Sequence, residues 1–321
     1  MTGGRVLAQA GLMKWQAVLP TLLLCACDTS PSGSDPVSTG IAEHPAIAAF
    51  WDAFHASDYA AIDGVIDGIS KARALNPDDP DLEFFSAHAH LWRLAEWARA
   101  PERPEAVQVA ALREAVTGFR RAAQLRPDDA RVPCWLGLLE LQTGRQFADP
   151  ELIAQGVANL EYTTAAFPEF GHFCEILAYW DQPRDSPEFA KAVEAGWKSI
   201  DVCLEAPINR ADPDVGPYLD QATLQGPRSV CWNGGAAPHN EEGYWLVMGD
   251  LFTRAGEAAL ARSMYNNAKA RDSYLSWQFK GLLEDRLQRL DERMAAFTDE
   301  DTANDPELLP SNAGCVLCHA Q

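Results

Sequence analysis

From Pro45 to Phe297 apolar residues and alanines recur at intervals of three and four, as in Ala106 to Leu125. That spacing puts one apolar stripe along each helix and is wrong for strands, whose faces alternate every second residue. No run of alternating residues bounded by hairpin turns competes with it. The pattern therefore predicts an all-α chain. An amphipathic helix cannot bury its own stripe, so helices of this kind must pair and stack.

Small residues and prolines set a register for the pairing. Ala115, Phe119, Ala122 and Pro127 are followed by Gly137. Pro77 with Ala87, and Pro168 with Ala178, keep one ten-residue offset. Trp245, Gly249, Phe252, Ala261, Tyr265 and Ala268, with Gly256 between the two helices, form the fullest unit. These residues resemble the tetratricopeptide (TPR) pattern, departing at its closing proline, where Ser273 stands. Interruptions fall at Ala100 to Glu105 and at Asp149-Pro150. The resemblance covers most of 44–290 and implies an array of helical hairpins over 44–297. Ala87, Gly137, Ala178 and Gly249 would be the small residues at which helices cross. The carboxylate pairs Asp78-Asp79 and Asp128-Asp129 fall at repeat turns, where capping explains them.

One irregular insertion breaks the array between Ala206 and Gly243. Pro207, Pro213, Gly216, Pro217, Gly226, Pro227, Gly234, Gly235 and Pro238 exclude a regular helix there. Its length favours a functional loop over a simple connection.

The C-terminus carries the most chemically specific run, Cys315-Val316-Leu317-Cys318-His319. Cys-x-x-Cys-His is the attachment pattern for haem c. Two thiols at this spacing reach the two vinyl groups of one porphyrin, and the adjacent imidazole ligates the iron. A disulfide or redox pair would also use Cys-x-x-Cys. Zinc would need a second Cys/His pair at metal-like spacing, which is missing. The immediately following His favours haem, and so does the N-terminus. There Arg5 and Lys14 precede an apolar stretch, Trp15 to Leu24, too short to span a bilayer as a helix. It runs into Leu24-Cys25-Ala26-Cys27, which resembles a bacterial lipoprotein signal, with Cys27 as the lipidated residue. A signal peptide cleaved without lipidation is the alternative. Residues 1–26 are thus expected to be a signal peptide, and 27–43, rich in Ser, Thr, Pro and Gly, a flexible tether. The expected location is the periplasmic face of a bacterial membrane.

Of the eight cysteines, Cys25 leaves with the signal, Cys27 takes lipid, and Cys315 and Cys318 take haem. Cys134, Cys174, Cys203 and Cys231 remain. An even remainder in an oxidising compartment suggests two disulfides, for which three connectivities exist. In the TPR-like register Cys134 and Cys174 fall near the starts of successive first helices, which makes them the favoured pair. Cys203–Cys231 would then pin the irregular loop.

The formal net charge is −20, and loss of Arg5 and Lys14 with the signal takes it to −22. Such acidity disfavours nucleic acid and suits a basic partner. There is no glycine-rich phosphate loop and no nucleophile elbow, so no catalytic residue is assigned.

For a haem, His319 is the expected axial ligand. His44, His55, His88, His90, His172, His239, Met248, Met264 and Met294 are open candidates for the second, with His239 foremost because it sits in the irregular loop. His88 and His90 are two residues apart and do not share a helix face, so they read as ordinary helix residues. Met248 and Met264 read as core. Thr298 to Gly314 is acidic and proline-broken, a linker whose seventeen residues would reach ~55–60 Å when extended. Asp299, Glu300, Asp301, Asp305 and Glu307 are expected to keep it off the acidic domain. The residues around 231–240 could alternatively clamp the haem. Together these features imply a membrane-anchored helical-repeat protein carrying haem c for electron transfer or haem-linked redox. The competing expectation is a repeat scaffold that binds protein and ends in a disulfide.

Overall fold

The computed structural model describes residues 44–56, 58–96, 104–213, 226–231, 241–277, 279–299 and 304–306. They form twelve α-helices: α1 (Pro45–His55), α2 (Ile62–Leu75), α3 (Pro80–Ala95), α4 (Glu105–Leu125), α5 (Arg131–Phe147), α6 (Pro150–Ala166), α7 (Pro168–Tyr179), α8 (Pro187–Leu204), α9 (Glu241–Ala255), α10 (Ala258–Lys269), α11 (Lys280–Gln288) and α12 (Leu290–Thr298). No strand occurs among the described residues. The chain is an all-α array of helical hairpins.

Local chemistry sets the boundaries. Proline occupies the first turn of α1, α3, α6, α7 and α8, where its missing N–H costs nothing. Asp79 caps α3 by accepting from the amides of Asp81 and Leu82, and Asp149 caps α6 through Glu151 and Leu152. Asp149-Pro150, read from sequence as an interruption, is thus the hairpin turn between α5 and α6. Ala148 adopts φ 52° just before it. Gly256, at φ 83°, turns the chain between α9 and α10. α9 begins at Glu241, two residues before the irregular segment was expected to end.

α3 packs on α4, α5 on α6, α7 on α8 and α9 on α10. α2 lies on α3, α4 on α5, α6 on α7, and α12 folds back onto α9 and α10. Small residues mark the crossings. A Cβ on Gly137 would stand 2.8 Å from the carbonyl oxygen of Gly156, and one on Gly171 would stand 2.4 Å from Cα of Thr164. The first helix of each hairpin is buried round most of its girth: on α3 every residue from Leu82 to Ala95 except Arg93 is buried. The second helices bury only a stripe, and α6 buries just Gly156, Leu160 and Thr163.

The N-terminal end is aromatic. Phe54 and Phe50 of α1 meet Trp92 of α3 with ring centroids 5.1 and 6.0 Å apart. Within the α3–α4 hairpin and at the turn into α5 the contacts are ionic. Arg126 donates to both oxygens of Asp81 at 2.6 and 2.9 Å. Arg131 grips Asp129 through Nε and Nη2 at 2.9 and 2.7 Å and stacks on Phe84. Burial pushes the Asp129 carboxyl up, but Arg131 and Arg126 outweigh it and hold the group below its ordinary value. Asp129 therefore does more than cap a turn: it joins the start of α5 to the end of α4.

Candidate functional site

Cys315, Cys318 and His319, the lipidation residue Cys27 and the second-ligand candidate His239 lie outside the described residues. The described residues include Asn304 to Pro306, both disulfides, and four of the histidines, His44, His88, His90 and His172.

Cys134 is bonded to Cys174, with Cα atoms 5.9 Å apart, joining α5 to α7. Cys203 is bonded to Cys231, with Cα atoms 5.7 Å apart. The second bridge fastens the short 3-10 turn Pro227–Cys231 to the end of α8. Arg228 reinforces it, donating from Nε and Nη2 to the carbonyl of Cys203 and from Nη1 to Glu205. A guanidinium is thereby aimed at a carbonyl in the last turn of α8, the end of a helix that favours positive charge.

The two bridges differ in access. Cys134 and Cys174 are 0% and 1% exposed, whereas Cys203 and Cys231 are only partly buried. Thiol exchange needs in-line approach to sulfur, so access sets the order of reduction. In the folded protein, dithiothreitol should open Cys203–Cys231 first, and Cys134–Cys174 only with unfolding. Alkylation followed by peptide mass mapping reads that order. Equal rates at both bridges would contradict it.

Most remaining candidate ligands are committed elsewhere. His88 Nδ1 lies 3.2 Å from the carbonyl of Phe84, and its ring is enclosed by Phe84, Phe119 and Trp135. His90 on α3 is buried, and burial, helped by Arg93 and Arg73, lowers its pKa to about 4. His44 accepts from the Ala46 amide as the cap of α1, and His172 Nδ1 lies 3.0 Å from Glu175. Met248 and Met264 are wholly buried. No group of three or more His, Cys, Asp or Glu able to hold a metal occurs among the described residues.

The C-terminal helices hold an ionic cluster that sequence reading missed. Asp250 on α9 is 0% exposed. It accepts from the Tyr265 hydroxyl at 2.6 Å and faces Arg286 Nε at 3.3 Å and Arg293 Nη2 at 3.8 Å. The approach of Tyr265 depends on Gly249, where a Cβ would fall 2.1 Å from the ring. Burial pushes the Asp250 carboxyl up, against the pull of both arginines and Tyr265. Arg286 and Arg293 lie more than thirty residues beyond Asp250, and nothing in their local sequence marks them as its partners.

The tail begins beside this cluster. Phe297 in the last turn of α12 is buried, and the guanidiniums of Arg254 and Arg293 each stand 5.6 Å from its ring centroid. Arg254 also covers Phe189 at 5.7 Å and donates to the carbonyls of Asp181 and Gln182 at 3.3 and 3.1 Å. Beyond α12 the chain returns to this arginine, with Asp305 Oδ2 3.9 Å from Arg254 Nη2. Asn304 donates to Asp299 at 3.2 Å. The expected repulsion between tail and domain therefore does not hold at Asp305, because the local partner is a cation. No helix among the described residues is long and apolar enough to cross a membrane. No protein-family model matches the chain, and no curated protein or solved structure matches it.

Proposed function

We propose that this chain is an exported, lipid-anchored, TPR-like protein that carries haem c on its C-terminal tail, for electron transfer or haem-linked redox within a larger assembly. Cys315-Val316-Leu317-Cys318-His319 carries the reading. Cys315 and Cys318 would hold the porphyrin through thioether bonds and His319 would ligate the iron; the group so held supplies one-electron chemistry. Two thiols and an adjacent imidazole are the donor set that attachment requires. The oxidised Cys134–Cys174 and Cys203–Cys231 pairs support an oxidising compartment, in which a Cys27 lipid anchor is also at home.

The packing of the array supports placing the function on the tail. Its first helices, which would line a binding trough, are spent in the core. A basic redox protein is the partner suited to a net charge of −20.

The test is direct. Mature protein expressed with cytochrome c maturation machinery should carry one covalent haem by intact mass. The Cys315→Ala/Cys318→Ala protein should carry none and keep its helical circular dichroism. Wild type free of haem under those conditions would overturn the reading and return the tail to a Cys-x-x-Cys disulfide on a protein-binding scaffold.

A further inference from the structure

We infer that Cys203–Cys231 is a reversible redox couple, a thiol-exchange site open to a dithiol partner, in which Arg228 keeps the two sulfurs together while the bridge is open. The couple is independent of the haem reading, because it is built from Cys203, Glu205, Arg228, Val230 and Cys231.

Its setting differs from that of the other bridge. Cys134 and Cys174 are fully buried, on helices packed against each other. Cys203 and Cys231 are only partly buried. Cys231 ends the short 3-10 turn Pro227–Cys231, which rests on α7, and Val230 and Cys231 pack against the core.

Arg228 ties that turn to α8 without help from sulfur. Its Nε and Nη2 donate to the carbonyl of Cys203 at 3.0 and 2.8 Å, and its Nη1 donates to Glu205 at 2.7 Å. The carbonyl belongs to the residue that carries one sulfur, and Arg228 stands three residues before the other. In a 3-10 turn, positions three apart fall on one edge. The guanidinium and the bridge therefore join the same two elements side by side. When the S–S bond opens, these three hydrogen bonds and the packing of Val230 remain. Two thiols with a sequence separation of 28 would otherwise meet only as often as a loop of that length closes. Held by Arg228 they keep a high effective concentration, which is what lets a pair close again. The cation also favours the thiolate that exchange requires, offsetting the negative pole at the end of α8.

The exchange is a two-electron step. A thiolate of the dithiol attacks one bridge sulfur. The S–S bond breaks, and its electron pair leaves on the other sulfur, which takes a proton. The second thiol of the reagent then loses its proton and attacks the mixed disulfide, releasing the remaining cysteine, which is protonated in turn. The dithiol ends as a disulfide and the protein pair as two thiols.

The experiment equilibrates the full mature chain with mixtures of reduced and oxidised dithiothreitol near neutral pH, followed by acid quench, alkylation and peptide mass mapping. Cys203 and Cys231 should titrate between dithiol and disulfide, and back when the mixture is reversed, with unchanged helical circular dichroism and Cys134–Cys174 closed throughout. Arg228→Met should move the midpoint roughly tenfold toward the reduced pair, near the lower bound for hydrogen bonds to a charged group. Arg228→Lys, which keeps the charge and loses the fork, should move it the same way by less. Glu205→Gln alters only the exposed acceptor, 67% accessible, and should move it less than about twofold. Opening that brings loss of helix or takes Cys134–Cys174 with it, or a pair that does not close again, would overturn the couple and leave a structural staple. A midpoint unmoved in both Arg228 variants, or in the lysine variant alone should the methionine variant not fold, would overturn Arg228 as the positioning residue.

Discussion

Arg286→Met should cost about 3–5 kcal/mol of folding stability, the range for removing one partner from a buried charge cluster. The loss follows from where Asp250 sits. Its carboxylate is wholly buried on α9, and its charge is balanced by Arg286 and Arg293 from the two helices that end the array. Methionine keeps most of the volume and none of the charge. The carboxylate keeps the Tyr265 hydroxyl and the more distant Arg293, and taking a proton relieves the charge they leave uncompensated. Because the folded-state pKa of Asp250 is already raised, this group favours folding most at acid pH and withdraws that support as pH rises through its folded pKa. The penalty of the variant should therefore grow with pH. Urea unfolding midpoints at two pH values measure it. The exposed Arg289, paired only at the surface with Glu292 and Asp285, is the control, and Arg289→Met should leave the midpoint where it was. A loss no larger in Arg286→Met than in the control would show that the cluster carries no weight.

Acid should weaken the fold through His90. In the folded state its pKa lies near 4, against 6.5 for the free side chain. The unfolded chain therefore binds this proton first. Stability contributed by neutral His90 is complete above pH 6.5, and is lost as pH falls from 6.5 towards 4. The difference corresponds to ~3 kcal/mol. The cause is local: the ring is buried on α3, with Arg93 and Arg73 nearby. His90→Gln, which cannot take up a charge, should flatten that part of the pH–stability curve. Parallel curves for wild type and variant would remove His90 from the account.

The array itself was legible because its signals are local. Gly249 and Tyr265 name the crossing of α9 and α10, and prolines and aspartates mark where helices start. The register also favoured the Cys134–Cys174 pair, since residues that open successive first helices must be neighbours. The fold-back of α12 onto α9 was not legible. It depends on Asp250 meeting two arginines far along the chain, and nothing in the local sequence marks Arg286 and Arg293 as its partners. The base of the tail was misjudged for the same reason. Its acidity suggested repulsion from an acidic domain, whereas pairing depends on the nearest cation, and Arg254 stands beside Asp305. The chemistry of the C-terminal motif is written in five consecutive residues, and the walls that would enclose a haem are not.

A stack of hairpins is ordinarily a one-dimensional object that can lose its end units one at a time. The bridge from Cys134 to Cys174 changes that. Stretched from its two ends, the chain cannot extend through the segment closed by this bridge, with a sequence separation of 40, just as it cannot through the shorter one closed by Cys203–Cys231. The longer segment alone shortens the contour available to a pulling or threading machine by ~130–140 Å. α5, α6 and the start of α7 would therefore enter any narrow channel as a doubled strand, until a reductant reaches two sulfurs that the native packing hides.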